Sequence, residues 1–163
     1  MIYSNLFINQ KNWKQLYRSW KSGRLPHALL FHGPHGNGKE GHALELAAML
    51  NCAKVQDEGS CGYCSSCRKI KSFQHESVKL ILPLPRGKIS LSHDPTIKAF
   101  KNKKSLDDYL DMLKKKSENP YYNIQVAGAT TILINSVREI KQDVSMSTLN
   151  NDWKVVLIFK AEK

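Results

Sequence analysis

Long hydrophobic runs are absent from this sequence of 163 residues. No apolar stretch approaches the roughly 20 residues that a membrane-spanning helix needs. Residues 1–7 also lack the basic segment followed by an apolar segment that is typical of a signal peptide. With 41% hydrophobic and 9% aromatic residues, the chain still has enough apolar material for one folded core. We therefore expect a cytoplasmic globular protein with no membrane partner.

Acidic residues are also scarce, with 14 Asp and Glu against 25 Lys and Arg, so the formal net charge is +11. This excess favours an anionic partner, either nucleic acid or an acidic protein surface. A solvated basic surface explains the charge equally well, and composition leaves both interpretations open. Because aromatic residues do not alternate with the basic ones, the sequence does not indicate stacking on single-stranded nucleic acid.

Cysteine is rare and confined to one short window, with the spacing C-x8-C-x2-C-x2-C. Clustered cysteines in a reducing compartment indicate metal ligands rather than disulfides. Four thiolates complete the closed tetrahedral shell of structural zinc, whereas a catalytic zinc keeps one position open. An iron–sulfur cluster is the alternative for an all-cysteine set. The sequence therefore predicts a structural Zn²⁺ module over residues 52–67, with ligands Cys52, Cys61, Cys64 and Cys67.

The apolar pattern alternates between helical and strand periods along the chain. Ser136 and Glu139 have the spacing of a capping box at the start of one helix. Alternation of strands and helices predicts an α/β fold with a largely parallel sheet covered by helices on both faces. Helices are predicted over about 13–22, 40–51, 68–70, 105–116 and 136–144, and strands over 27–32, 78–82, 130–134 and 153–159.

A glycine-rich loop with the pattern Gly-x4-Gly-Lys lies between the first predicted strand and the next helix. In this context the pattern predicts a P-loop, in which backbone N–H groups surround a phosphate and the lysine neutralises its oxygens. A glycine-rich turn that binds no phosphate is the alternative. The candidate nucleotide-binding residues are Gly33, Gly36, Gly38 and Lys39.

Two positions on the magnesium side of this loop carry unexpected residues. P-loop enzymes place Ser or Thr after the loop lysine and an acid after a later strand, and both help to hold Mg²⁺. Here Glu40 follows the lysine and Lys160 follows the strand over 153–159, although a shift of register would bring Glu162 to the second position. We therefore predict no catalytic residue and no ATP hydrolysis, and ATP is a doubtful ligand.

These motifs together resemble the AAA+ (RecA-like P-loop) subunits of the bacterial DNA polymerase III clamp loader. The resemblance covers nearly the whole chain except a Lys-rich insertion over residues 86–122. Gamma/tau subunits of that family are ATPases that keep Thr after the lysine and an acid after the strand. Because this chain has neither, it is more similar to the delta-prime type, whose nucleotide site is degenerate. The resemblance rests on residues 22–31, 33–39, 52–67 and 134–140.

The resemblance implies a non-hydrolysing, stator-like subunit of a ring that loads the sliding clamp onto primed DNA. Its implied partners are the gamma/tau and delta subunits, and the clamp and primed DNA through the assembled complex. An ATP-hydrolysing gamma/tau-type subunit and a zinc-stabilised nucleic-acid-binding module are the alternatives.

Residues 1–163 are then expected to be an N-terminal AAA+ P-loop domain, cut short before the lid, the collar and the trans-acting arginine of the family. We expect the lysines of the insertion to be solvated, with contact to DNA or to a neighbouring subunit as the alternative; these are Lys101, Lys103, Lys104, Lys114, Lys115 and Lys116.

Overall fold

The computed structural model describes residues 1–56, 59–91, 93–145 and 152–163. Within them no helix is long and apolar enough to cross a bilayer. A short 3₁₀ helix spans Thr96–Ala99. The other elements, in chain order, are α1 (Gln10–Lys21), α2 (Lys39–Leu50), α3 (Ser65–Lys71), β1 (Val78–Ile81), α4 (Lys103–Glu118), α5 (Ile134–Ser145) and β2 (Val155–Ile158).

The two strands form a small parallel sheet. Val78 lies opposite Val155 and Ile81 lies opposite Ile158, and β-branched residues of this kind pack well on a pleated surface. Parallel neighbours need a long crossover connection, which the segment containing α4 and α5 provides. The predicted mixed α/β class with a parallel sheet is therefore confirmed, in a small form.

Helix α2 runs through the centre of the main core. Its residues Leu44, Ala48 and Met49 have no exposed surface, and α2 packs against α3 and β2. Tyr3 and Trp13, each 2% exposed, belong to the same core cluster. Burial of such side chains stabilises the fold by about 1.5–3 kcal/mol each. The buried helix thereby fixes what lies at its two ends, the glycine-rich loop at the start and the cysteine window at the end.

Two predicted strands are wrong. Residues 27–32 are not paired with any described strand, and Leu30 is 81% exposed, although Phe31 packs against the core. Because no described segment forms a ladder with these residues, the apolar pattern alone was not sufficient to predict a strand. In the segment over 130–134, Thr131 makes one isolated antiparallel bridge to Leu84. Pro83 and Pro85 flank Leu84 and have no N–H to donate, so that ladder cannot extend.

The predicted capping box at Ser136 and Glu139 is also wrong. Helix α5 begins two residues earlier, at Ile134, and the Ser136 side chain is buried. The Glu139 carboxylate instead accepts hydrogen bonds from the Thr96 hydroxyl and from the Thr96 backbone N–H, the latter at 2.7 Å. Glu139 therefore ties α5 to the 3₁₀ helix, a tertiary contact that its spacing from Ser136 could not reveal.

Candidate functional site

The four cysteines come together at the end of α2. Cys52 follows α2, while Cys61 and Cys64 lie in the turns before α3 and Cys67 lies in the first turn of α3. Their sulfur atoms are all within 4.8 Å of one another, and the Cys61 and Cys67 sulfurs are 3.8 Å apart. Zinc–sulfur bonds of about 2.3 Å in a tetrahedron place the sulfurs about 3.8 Å apart. The cluster therefore has the size to hold one metal ion.

Backbone N–H groups point at three of these sulfurs. Cys61 N–H donates to the Cys52 sulfur at 3.2 Å, Cys64 N–H to the Cys61 sulfur at 3.4 Å, and Cys67 N–H to the Cys64 sulfur at 3.5 Å. The last of these caps the start of α3. Such donors stabilise thiolate charge, and thiolates are the form that ligates metal.

The thiols differ in how readily they ionise. Burial opposes ionisation of Cys61, but backbone N–H groups of Cys64 and Tyr63 and the neighbouring thiols outweigh it, and the pKa of Cys61 falls to about 6. Burial raises the pKa of the fully buried Cys67 above its usual range. A cation among the sulfurs would offset that cost, so metal binding would release protons.

A buried carboxylate of α2 supports the cysteine window from the side. Glu45 has no exposed surface and accepts hydrogen bonds from the Ser60 N–H (3.0 Å), the Ser60 hydroxyl (2.7 Å) and the Ile2 N–H (2.8 Å). The amino terminus of Met1 donates to the Ser60 carbonyl. Burial raises the pKa of Glu45, and the hydrogen bonds from Ser60 and Ile2 oppose that rise. Glu45 thus joins the N-terminal segment, at Ile2, to the backbone directly before Cys61.

Sequence reasoning missed Glu45, although a signal was present. It is the one charged residue in the stretch 43–50, which otherwise reads as apolar helix. A buried charge must be hydrogen-bonded to be tolerated, so an isolated Glu on a buried helix indicates a structural role.

The glycine-rich loop forms a tight turn that leads directly into α2. Gly38 is the residue before the helix and has φ +77°, a left-handed conformation that favours glycine. A Cβ at Gly38 would lie 2.9 Å from the Tyr121 ring, so only glycine fits under that ring. Gly36, with φ +81°, is also left-handed. The loop therefore has the backbone freedom that the sequence pattern indicated.

The side chains of the loop are bonded to the loop itself. The Lys39 ammonium donates to the carbonyls of Gly33 (3.2 Å) and Pro34 (3.3 Å). The Asn37 side-chain oxygen accepts from the Lys39 backbone N–H at 3.2 Å. The structure thus brings Gly33, Gly36, Gly38 and Lys39 into one turn. The Lys39 ammonium and the Lys39 backbone N–H are both hydrogen-bonded within that turn.

The next residue, Glu40, is paired with a buried lysine. Lys116 comes from α4, is 1% exposed, and donates to the Glu40 carboxylate. Its ammonium also donates to the carbonyls of Pro120 (2.9 Å) and Tyr122 (2.8 Å). An ammonium carries three donors, so all three have acceptors. Burial lowers the pKa of Lys116, and the Glu40 carboxylate opposes that change. The expectation that Lys116 is solvated is therefore wrong, because the end of α4 turns its side chain into the core.

At the second position where a P-loop enzyme would hold Mg²⁺, this chain has a lysine whose side chain is hydrogen-bonded. Lys160 follows β2 and Phe159 with φ +56°, and its ammonium donates to the Ile124 carbonyl. Glu162, the alternative acid, is exposed in the following turn. The second residue after β2 is therefore a lysine, not a carboxylate.

Comparison with known proteins identifies the family. A family model described as "DNA polymerase III, delta subunit" matches residues 8–163. The chain belongs to this family. Over 79 residues it is 37% identical to the DNA polymerase III subunit delta' of Yersinia pestis, and over 70 residues 40% identical to that of Bacillus subtilis. The resemblance inferred from the motifs is confirmed.

This chain is also similar to a subunit of the other type, gamma/tau. Over 46 residues, 28% of this chain and 8% of the relative, it is 50% identical to the gamma/tau subunit of Mycobacterium tuberculosis. The matched stretches cover 48% and 43% of this chain for the two delta' relatives. The same stretches span 23% and 21% of those relatives' own length, so they concern a part of each relative.

Proposed function

We propose that this chain acts as a non-hydrolysing structural subunit of the DNA polymerase III clamp loader, of the delta-prime type. Together with gamma/tau and delta subunits it would form the ring that loads the sliding clamp onto primed DNA. The proposal rests on the two positions at which a P-loop enzyme would hold Mg²⁺. In this protein the side chains at both positions are bonded to other groups of the chain. Glu40 is bonded to Lys116, and Lys160 is bonded to the Ile124 carbonyl.

Residues 33–39 are then a degenerate P-loop within an AAA+ domain that includes the insertion over 86–122. A working P-loop needs its lysine and its backbone N–H groups for phosphate and a hydroxyl for Mg²⁺. In this chain the lysine and one N–H are bonded within the loop, and the hydroxyl is replaced by a carboxylate. The loop serves to start α2 and to shape the surface around it, rather than to turn over ATP.

We further propose that Cys52, Cys61, Cys64 and Cys67 bind structural Zn²⁺. The donor set is four thiols of compatible spacing, two of which are 3.8 Å apart, and a closed shell leaves no position for a substrate. The ion would supply a cross-link that neutralises the thiolates. The chain's own contribution is to orient them, with three N–H donors at the sulfurs and Glu45 holding the backbone at Ser60.

Calorimetric titration with Mg-ATP, together with a phosphate-release assay, tests the proposed function. We expect no turnover, and either no binding or weak binding that does not depend on Mg²⁺. Tight Mg²⁺-dependent binding with turnover would instead support a gamma/tau-type ATPase, which the 50% identity over 46 residues makes the second candidate. Tight binding of the isolated chain to DNA would support the third interpretation, a zinc-stabilised nucleic-acid-binding module.

A further inference from the structure

An ion pair at the start of α2 has two further lysines near it: Lys39 is the first residue of the helix, and the Lys116 ammonium lies 5.8 Å from the ring centroid of Phe159, the residue before Lys160. Lys116 donates to Glu40. Lys39 and Lys160 both lie close enough to Lys116 to lower its pKa by repulsion, in addition to the larger effect of burial. A cationic cluster of this kind beside a P-loop-like turn is unusual, because each like charge destabilises the others. The arrangement therefore requires a counter-charge, which Glu40 provides.

The charges of this cluster match those of a magnesium site. Where a P-loop holds Mg²⁺, a neutral hydroxyl follows the loop lysine and a carboxylate follows the later strand, so the dication leaves one net positive charge. Here the corresponding positions hold an anionic Glu40 and a cationic Lys160, and Lys116 adds another positive charge. With the loop lysine left out of both counts, because both sites have one, the net formal charge is again one positive unit, and here it comes from side chains alone.

We propose that Lys116 is a built-in replacement for the divalent cation at this loop, and that it excludes Mg²⁺ from the position beside Glu40. This inference rests on the proposed function, since it concerns the same loop. The ammonium bonds the carboxylate that would otherwise be free to ligate a metal. Lys116 is 1% exposed and its three donors are fully used, so its positive charge is fixed at the carboxylate oxygen that a metal ion would otherwise ligate.

The insertion also packs against the start of α2, next to the loop. The segment that supplies the two carbonyl acceptors of Lys116 packs on the first turn of α2: a Cβ at Gly41 would lie 2.8 Å from Pro120, and one at Gly38 would lie 2.9 Å from Tyr121. The Tyr121 hydroxyl accepts from the Phe7 N–H at 2.8 Å, which fixes the ring in place. The insertion thus holds Lys116 beside Glu40, and under this proposal the insertion is the part of the chain that keeps a divalent cation away.

The test compares variants that differ only at Lys116. Glu40→Thr with Lys160→Asp restores the hydroxyl and the acid, and Asp tolerates the left-handed backbone at position 160. With Lys116 retained, this variant should bind ADP equally well in Mg²⁺ and in excess EDTA. Adding Lys116→Met should make ADP binding about tenfold or more tighter in Mg²⁺ than in EDTA. Lys115→Met is the control, because it changes an exposed lysine of the same helix. Added instead of Lys116→Met, it should leave ADP binding equal in Mg²⁺ and in EDTA.

The outcomes separate this inference from the proposed function. Equal Mg²⁺ dependence with and without Lys116, or none after Lys116→Met, would overturn the role of Lys116. Tight, Mg²⁺-dependent turnover by the unmodified chain would overturn the proposed function itself.

A measurement without any variant covers the case in which one of these variants does not fold. Titration of the unmodified protein with Mn²⁺ should not broaden the amide NMR signals of residues 38–41. Selective broadening at those residues would show that a divalent cation reaches Glu40 and would contradict the proposal.

Discussion

Removal of the Glu40 carboxylate should cost more stability than removal of its partner Lys116. In Glu40→Ala the ammonium of Lys116 keeps two carbonyl acceptors but loses its counter-charge, and at 1% exposure it has no access to water. An uncompensated buried charge of this kind costs about 3–5 kcal/mol. In Lys116→Met the remaining carboxylate is 17% exposed and can turn towards solvent, so the cost is about 1–3 kcal/mol.

The double variant Glu40→Ala/Lys116→Met removes both the ammonium and the carboxylate, so neither is left without its partner. It should be about as stable as Lys116→Met alone, so the coupling energy between the two positions equals the cost of Glu40→Ala, about 3–5 kcal/mol. The assay is urea unfolding of all four proteins with zinc in excess, followed by circular dichroism. Independent effects that simply add, or a Glu40→Ala cost below about 1 kcal/mol, would refute the idea that these side chains form a buried, mutually dependent pair.

The pH dependence of the destabilisation by Glu40→Ala gives a second test of this pair. Burial lowers the pKa of Lys116, and loss of Glu40 should lower it further. A lysine whose pKa is depressed in the folded state binds fewer protons there than when unfolded, so it costs stability as pH falls. The destabilisation by Glu40→Ala should therefore grow as pH falls from alkaline values to neutral. A destabilisation that shrinks towards neutral pH would contradict this assignment.

The remaining predictions concern the cysteine window and the core around it. Chelation of zinc should lower the melting temperature, and Cys67→Ser should lower it similarly while Ser65→Ala, an exposed change in α3, should not; an unchanged melting temperature after chelation would exclude a structural metal. Glu45→Ala leaves the donors of Ile2 and Ser60 unpaired in the core and should cost about 2–3 kcal/mol in urea unfolding, whereas Glu76→Ala, at an exposed carboxylate, should cost little; equal costs would be inconsistent with the buried role. Burial lowers the pKa of His75, so stability should fall as pH drops below about 6.5. His75→Gln should reduce that fall, and an unchanged pH profile would show that the pKa of His75 is the same in the folded and unfolded states.

The helices and the clustering of the four cysteines were predictable because local pattern and spacing determine them. The stripe of Trp13 and its neighbours, the Gly-x4-Gly-Lys loop and the C-x8-C-x2-C-x2-C spacing each indicate a feature within a few residues of chain. α1, α2, α3 and α4 are confirmed close to their predicted bounds, and the four sulfurs lie together as their spacing requires.

Features that depend on distant residues were not predictable in this way. Lys116 lies in a run of lysines that reads as a solvated helix face, and only the fold brings it to Glu40, 76 positions earlier. The strand predicted over 27–32 needed a neighbouring strand to pair with, and an apolar run cannot show whether one is present. Glu139 is bonded to Thr96, 43 positions away, and so the local capping pattern was misleading.

Assembly is the most direct test of the central claim. The chain would be mixed with the gamma/tau and delta subunits of the same organism, and the mixture analysed by size-exclusion chromatography with light scattering and by DNA-stimulated ATP hydrolysis. The account predicts that the chain joins the complex and that Lys39→Ala leaves the ATPase rate of the complex unchanged, because its own loop does not turn over nucleotide. A chain that elutes alone, or a complex whose ATPase rate falls with Lys39→Ala, would contradict it.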